Sequence, residues 1–282
     1  MLALLSLTAL AASDKHYFLP PPAGKTGPEI SLIFIQGASC PPDGYRPLGA
    51  AIQAASPFPV WFGVPEFLDD TPQPLQFKDK LKQLNDEMTN AGMKANKSVV
   101  MAHSLGGVMT QTYATGNKGA VDAYALYGAT VLRSNRDKDL GAPVLTLDGD
   151  LDGLLRVTRQ AEAWWHQHKT PTQPVVLLPG LNHWSISSGD PPSNVKKHDI
   201  PAEVAEDAAH KAISSALVDW LLTLFGSGDA KAAANKAMDA RLASTATMVA
   251  PLISGLQMEG SPHLQTSCNS DYPTNPTCNY PM

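Results

Sequence analysis

A chain of 282 residues, 43% of them hydrophobic, can bury a sizeable core as one large domain or two small ones. A formal net charge of -5 with 17% charged residues leaves no basic footprint, so nucleic-acid binding has no electrostatic support. Beyond the first residues no stretch supplies the ~20 apolar residues that a membrane-spanning helix requires, so stable membrane insertion is not expected.

The chain opens on Met1-Leu2-Ala3-Leu4-Leu5-Ser6-Leu7-Thr8-Ala9-Leu10-Ala11-Ala12, an apolar run closing in small residues. Ala9-Leu10-Ala11 matches an A-x-A cleavage site, so 1–12 reads as a secretory signal peptide and the protein as secreted or extracytoplasmic. The positive start of such peptides is missing, and a buried N-terminal helix is the alternative. A Pro-rich stretch follows, with a short edge strand over 16–19. Ile30-Ser31-Leu32-Ile33-Phe34-Ile35 is nearly continuous in apolar residues, as expected of a strand covered on both faces. A helix over 46–55, a strand over 60–64 and a loop over 67–74 come next. Leu75, Leu81, Leu84 and Met88, with charges between them, mark an amphipathic helix over 75–91 ended by Gly92. Further strands are expected over 98–101, 121–125 (extending towards Tyr127), 143–147 and 175–178, and helices over 105–115, 156–168 and 202–225. Strands alternating with helices imply a parallel sheet, with ligands outside the carboxyl ends of its strands.

The third of these strands leads into Val99-Val100-Met101-Ala102-His103-Ser104-Leu105-Gly106-Gly107-Val108. This is the nucleophile-elbow pattern, in which a Ser sits on a strained strand-to-helix turn with its hydroxyl exposed. Small residues flank it because strand and helix backbones approach closely. Gly106 fits, and Ala102 replaces the usual first Gly. Beyond the first strand, Gln36-Gly37-Ala38-Ser39-Cys40 can aim a backbone N–H at the same point. Ala38 is the first choice of donor and Ser39 the second, with the Leu105 amide completing an oxyanion hole. Beyond the 143–147 strand, Asp148, Asp150 and Asp152 compete as an acid that could orient an imidazole; Asp152 has the reach to cross to the next strand end. The run also suggests a calcium loop, but a helix before it and a terminal Glu are lacking. Beyond the 175–178 strand, His183 stands in a loop from which it could take and return a proton. His103, beside the Ser, reads as structural.

With these residues in the order Ser, Asp, His, the chain resembles the α/β-hydrolase superfamily across about 30–225. Ala-His-Ser-Leu-Gly is similar to the elbow of some bacterial lipases. Pro143-Val144-Leu145-Thr146-Leu147-Asp148-Gly149-Asp150-Leu151-Asp152 resembles the family's acid strand and loop, and Leu177-Leu178-Pro179-Gly180-Leu181-Asn182-His183 its His segment. The resemblance implies Ser104 as nucleophile, Asp152 as orienting acid, His183 as base, Ala38 and Leu105 as oxyanion donors, and no metal or organic cofactor. It implies an α/β fold with a mostly parallel sheet of about six or more strands and helices on both faces. The 128–142 connection is too short for a large cap, so an open cleft is expected, as in cutinase-like, dienelactone-hydrolase-like and chlorophyllase-like members.

The expected activity is hydrolysis of a small-molecule or lipid carboxylic ester. Thioester or peptide hydrolysis, acyl transfer, and a non-catalytic binding role are the alternatives. Tyr45, Tyr127 and Trp184 are candidate pocket walls, together with Trp61 and Phe62, whose alternative role is core packing. The catalytic domain is placed at 28–226. The remainder, 227–282, reads as a helical and Cys/Pro-rich extension, either packed or acting as a lid hinged at Gly226-Ser227-Gly228. Of three Cys, Cys268 and Cys278 would close a small disulfide loop in an exported chain, leaving Cys40, although other pairings are open. Asn96-Lys97-Ser98 is a glycosylation sequon.

Overall fold

The computed structural model describes residues 16–265; the apolar start and the Cys268–Cys278 loop lie outside the described residues. Seven strands form one sheet: β1 (Tyr17–Leu19), β2 (Ile30–Ile35), β3 (Val60–Val64), β4 (Lys97–His103), β5 (Ala123–Tyr127), β6 (Val144–Gly149) and β7 (Val175–Leu178). Their order is β1-β3-β2-β4-β5-β6-β7. Only β1 is antiparallel to its neighbour.

Alternation along β2 divides the core into two layers. Ile30, Leu32 and Phe34 pack with residues of α1 (Arg46–Ala55) and of the long helix Glu206–Phe225. Ile33 and Ile35 pack on the other face with residues of α2 (Pro74–Asn90). Every residue of β2 is buried, so a central strand carries no polar face. In α2 the buried Phe77, Leu81, Leu84 and Met88 recur every three or four residues, and the helix opens on Pro74. It stops before Gly92, whose φ of 109° lies in the left-handed region.

The helix that follows β4 is α3 (Leu105–Gly116). Beyond it lie α4 (Val157–Gln167), α5 (Ser193–His198), α6 (Glu206–Phe225) and α7 (Gly228–Met258). The connection from β5 to β6 holds a single short 3-10 turn, Arg133–Asn135, and no helical cap. The Ser/Gly/Pro-rich stretch 184–198, which reads in the sequence as a loop beside His183, contains most of a 3-10 turn, His183–Ile186, and α5. Among the described residues the extension comprises α7 and a short 3-10 turn, Pro262–Leu264, and α7 packs against α6, β7 and α4. The buried face of α7 is Ala234, Met238, Thr245, Val249 and Ile253. Among the described residues no helix is long and apolar enough to cross a membrane.

Candidate active site

β4 ends at His103 and α3 begins at Leu105, so Ser104 alone makes the turn. Its φ of 53° and ψ of -123° place a non-glycine residue in strained backbone. The Ser104 amide donates to Tyr127 O of β5 (2.9 Å), and Ser104 O accepts from the Gly107 amide (2.9 Å), which pins the turn from both sides. Gly106 is required by close approach: a Cβ there would lie 2.5 Å from Gln36 O and 2.6 Å from Ile35 O. Ala102 stands where the pattern has Gly because it is still inside β4, paired with Ile35 and Leu126. The positive φ belongs to Ser104, not to Ala102.

The three aspartates at and just beyond the end of β6 differ in their principal partners. Asp152 Oδ2 lies 2.6 Å from His183 Nδ1, and Oδ1 accepts the amides of Leu154 (2.8 Å) and Leu155 (2.6 Å). Asp150 accepts the Gly180 amide (2.7 Å). Asp148 accepts from the Gly149 amide (2.8 Å) and Gln160 Nε2 (2.9 Å). Burial first, and the Asp152 charge second, push the Asp148 carboxyl well above the carboxylate range. Among the described residues no group of three or more His, Cys, Asp or Glu is arranged to hold a metal ion.

His183 is buried, and its Nε2 has no hydrogen-bond partner among the described residues. With Nδ1–H donated to Asp152, Nε2 is the ring nitrogen left facing away from that bond. Ser104, Leu105 and His183 line one cavity of about 360 Å³, with Val108, Leu132, Leu154, Leu155 and Arg159 among its walls. Gly128 makes room for the imidazole: its φ is +60°, and a Cβ there would lie 2.7 Å from His183 Cε1.

On the oxyanion side, Ala38 sits between two anchored amides. Gly37 N–H donates to Tyr45 Oη (3.1 Å) and Ser39 N–H to Thr71 Oγ1 (3.0 Å). The alternative donor Ser39 is therefore already engaged. A Cβ on Gly37 would lie 3.3 Å from Ser104 Cβ, so this loop abuts the elbow.

Three expected pocket walls are displaced. Tyr45 and Tyr127 are fully buried. The Tyr45 hydroxyl is bonded to Gly37 N–H and His103 Nδ1 (2.8 Å), and the Tyr127 hydroxyl donates to Asn182 O (2.8 Å). Both therefore brace loops from beneath the site. Trp184 lines a different groove of about 320 Å³, shared with Val195, Ile200 and Val204. That groove contains neither Ser104 nor His183. Phe62 and Trp61 are core residues.

Asp199 was not legible in the sequence. Its carboxylate accepts the amides of Gly153 (3.0 Å), His183 (3.2 Å) and Trp184 (3.1 Å), which ties the acid loop to the His loop. An Asp just after a short helix has no sequence signal distinguishing it from a surface residue. Cys40 is a buried free thiol donating to Ala38 O (3.3 Å), and burial pushes it up to about 11, so it stays protonated.

A sequence model of the alpha/beta hydrolase family matches residues 31–193. No curated protein matches the sequence. The esterase domain of a Rhodothermus marinus protein superposes with a TM-score of 0.50 at 12% identity, covering 73% of this chain and 90% of that one. The structure of esterase PE8 covers 60% of this chain and 90% of its own, with a TM-score of 0.45 and 15% identity.

Proposed function

The chain belongs to the alpha/beta hydrolase family, and on that premise we propose that it hydrolyses carboxylic esters with Ser104 as nucleophile, His183 as base and Asp152 as the acid that orients it. One observation carries the reading: a buried imidazole bound through Nδ1 to Asp152 at 2.6 Å, its bare Nε2 beside a cavity that also holds the strained Ser104. Ser104 Oγ attacks the ester carbonyl as its proton passes to His183 Nε2. The amides of Leu105 and Ala38 receive the oxyanion. The imidazolium returns the proton to the departing alkoxide, leaving an acyl-enzyme and a free alcohol. Water then attacks, deprotonated by the same nitrogen, and the carboxylic acid leaves as Ser104 regains its hydrogen.

The walls Val108, Leu132, Leu154 and Leu155 favour an apolar acyl or alcohol group, from a small molecule or a lipid. Export from the cytoplasm belongs to the same proposal and rests on the apolar opening of the sequence; sequencing the mature N-terminus tests it. For the chemistry, a fluorophosphonate probe should label the protein at Ser104, and Ser104→Ala should abolish both labelling and turnover of p-nitrophenyl esters. Retained turnover in Ser104→Ala would reject the assignment.

A further inference from the structure

Two buried rings connect the oxyanion loop to the peptide of the base. Tyr45, at the end of the 3-10 turn before α1, and His103, the last residue of β4, are both completely inaccessible. Gly37 N–H meets Tyr45 Oη at 3.1 Å, Tyr45 Oη meets His103 Nδ1 at 2.8 Å, and His103 Nε2 meets His183 O at 3.1 Å. The Cys40 thiol also lies beside the Tyr45 hydroxyl, and the two ends of the chain set the order of donors between them. A backbone amide can only donate, so Tyr45 Oη accepts from Gly37. A carbonyl can only accept, so His103 Nε2 carries the hydrogen. In a neutral ring Nδ1 is then bare and takes the Tyr45 hydrogen. The chain runs Gly37 N–H to Tyr45 O–H to His103 Nδ1, and His103 Nε2–H to His183 O, with all donors aligned.

Its termini lie where the proposed chemistry is assembled. Gly37 directly precedes Ala38, and His183 O belongs to the base itself. The rings are also locked by packing: Tyr45 sits 4.4 Å from Phe34, and His103 sits 4.7 Å from His183, centroid to centroid. Burial and the nearby His183 hold the His103 imidazole well below its ordinary range, consistent with a permanently neutral ring.

We propose that Tyr45 and His103 are positioning residues, a two-ring relay that sets the distance between the oxyanion amide of Ala38 and the imidazole of His183 without touching substrate. This rests on the Ser104–His183 reading above. A shift of about 1 Å in either group can cost on the order of 10²-fold in rate.

The test uses the full chain with p-nitrophenyl butyrate. Tyr45→Phe deletes one oxygen and keeps the ring packing; His103→Gln keeps a donor toward His183 O. Each should lower kcat by about 10- to 100-fold with KM within about twofold, because neither side chain touches substrate. The double variant should be no worse than the poorer single one by more than about threefold, since either change breaks the same chain. Independently of the variants, long-range nitrogen–proton NMR should find His103 protonated at Nε2 and bare at Nδ1. An unchanged kcat in folded Tyr45→Phe, multiplying losses in the double variant, or a proton on Nδ1 would each overturn the relay. If Ser104→Ala abolishes turnover while Tyr45→Phe behaves as wild type, the relay alone fails. If Ser104→Ala stays active, the active-site reading fails and the relay with it.

Discussion

Asp148, near the end of β6, and Asp152, in the loop that follows, are both buried carboxyl residues, yet their surroundings differ. Asp152 accepts the Leu154 and Leu155 amides and meets His183 Nδ1 at 2.6 Å. Asp148 sits at the end of β6 where burial and Asp152 together disfavour its ionisation. Replacing Asp152 by Asn should lower kcat on the order of 10⁴-fold, because the amide selects the wrong imidazole tautomer. Replacing Asp148 by Asn should leave kcat within about tenfold, the charge there being unused. Stability should respond differently. An unfolded Asp titrates near ~3.9, and in the folded chain the Asp148 carboxyl titrates well above that. Between the two values the folded state holds a proton that the unfolded chain has released, so this residue makes stability fall as pH rises above about 4. Asp148→Asn removes that slope. Urea unfolding from pH 4 to pH 8 should show the stability difference moving steadily in favour of the variant; parallel curves would contradict the account.

The 3-10 turn between β5 and β6 and helix α4 are joined by Glu162. Its carboxylate contacts Arg133 (2.7 Å) and Arg159 (2.8 Å), and also Arg136, while almost wholly withdrawn from solvent. Burial alone would raise the carboxyl, but Arg133, Arg159 and Arg136 outweigh it and hold it at about 2. The sign is that of a depressed acid: its stabilisation is complete above the ordinary value of about 4.5 and is lost as pH falls towards 2. Glu162→Gln should cost about 3 kcal/mol at pH 7, as when one member of a buried ion pair is removed. The gap to wild type in thermal melts should shrink between pH 4.5 and pH 2. None of this was legible in the sequence, since three Arg and a Glu spread over 133–162 show no pattern until the loop folds onto α4. Elements with apolar periodicity were legible: β2, β3, β7 and α1 fall where the sequence puts them. β4 runs on to His103 because a buried, fully bonded imidazole serves as a core residue, which hydropathy cannot foresee. Tyr45 departs from expectation for a related reason. As an aromatic residue it is a candidate pocket wall, whereas its buried hydroxyl is bonded to Gly37 N–H and His103 Nδ1.

At the scale of the molecule, a parallel sheet has two edges to protect, and this one treats them differently. β1 closes one side with three antiparallel residues, and the Arg46 guanidinium lies 3.8 Å over the Tyr17 ring. The other edge, β7, is covered by α7, and the cover is specific. Thr245 Oγ1 accepts the Leu177 amide of β7 at 2.9 Å while donating to Arg241 O at 3.0 Å. Arg241 in turn fastens α7 to α6 through Asp219 (2.8 Å) and Ser215 (2.9 Å). Helix α7 therefore supplies a hydrogen bond that a further strand would otherwise provide, at a completely buried threonine. Thr245→Val keeps the shape and removes the acceptor, leaving the Leu177 amide buried and unsatisfied, so the chain should lose about 1–3 kcal/mol of unfolding free energy. Thr245→Ser keeps the hydroxyl and should lose less than Thr245→Val. Hydrogen exchange at Leu177 should accelerate in the valine variant. Because no residue of α7 lines the cavity of Ser104 and His183, kcat should stay at the wild-type value in both variants while they remain folded. A valine variant as stable as wild type, with Leu177 still protected, would show that α7 covers β7 by apolar contact alone.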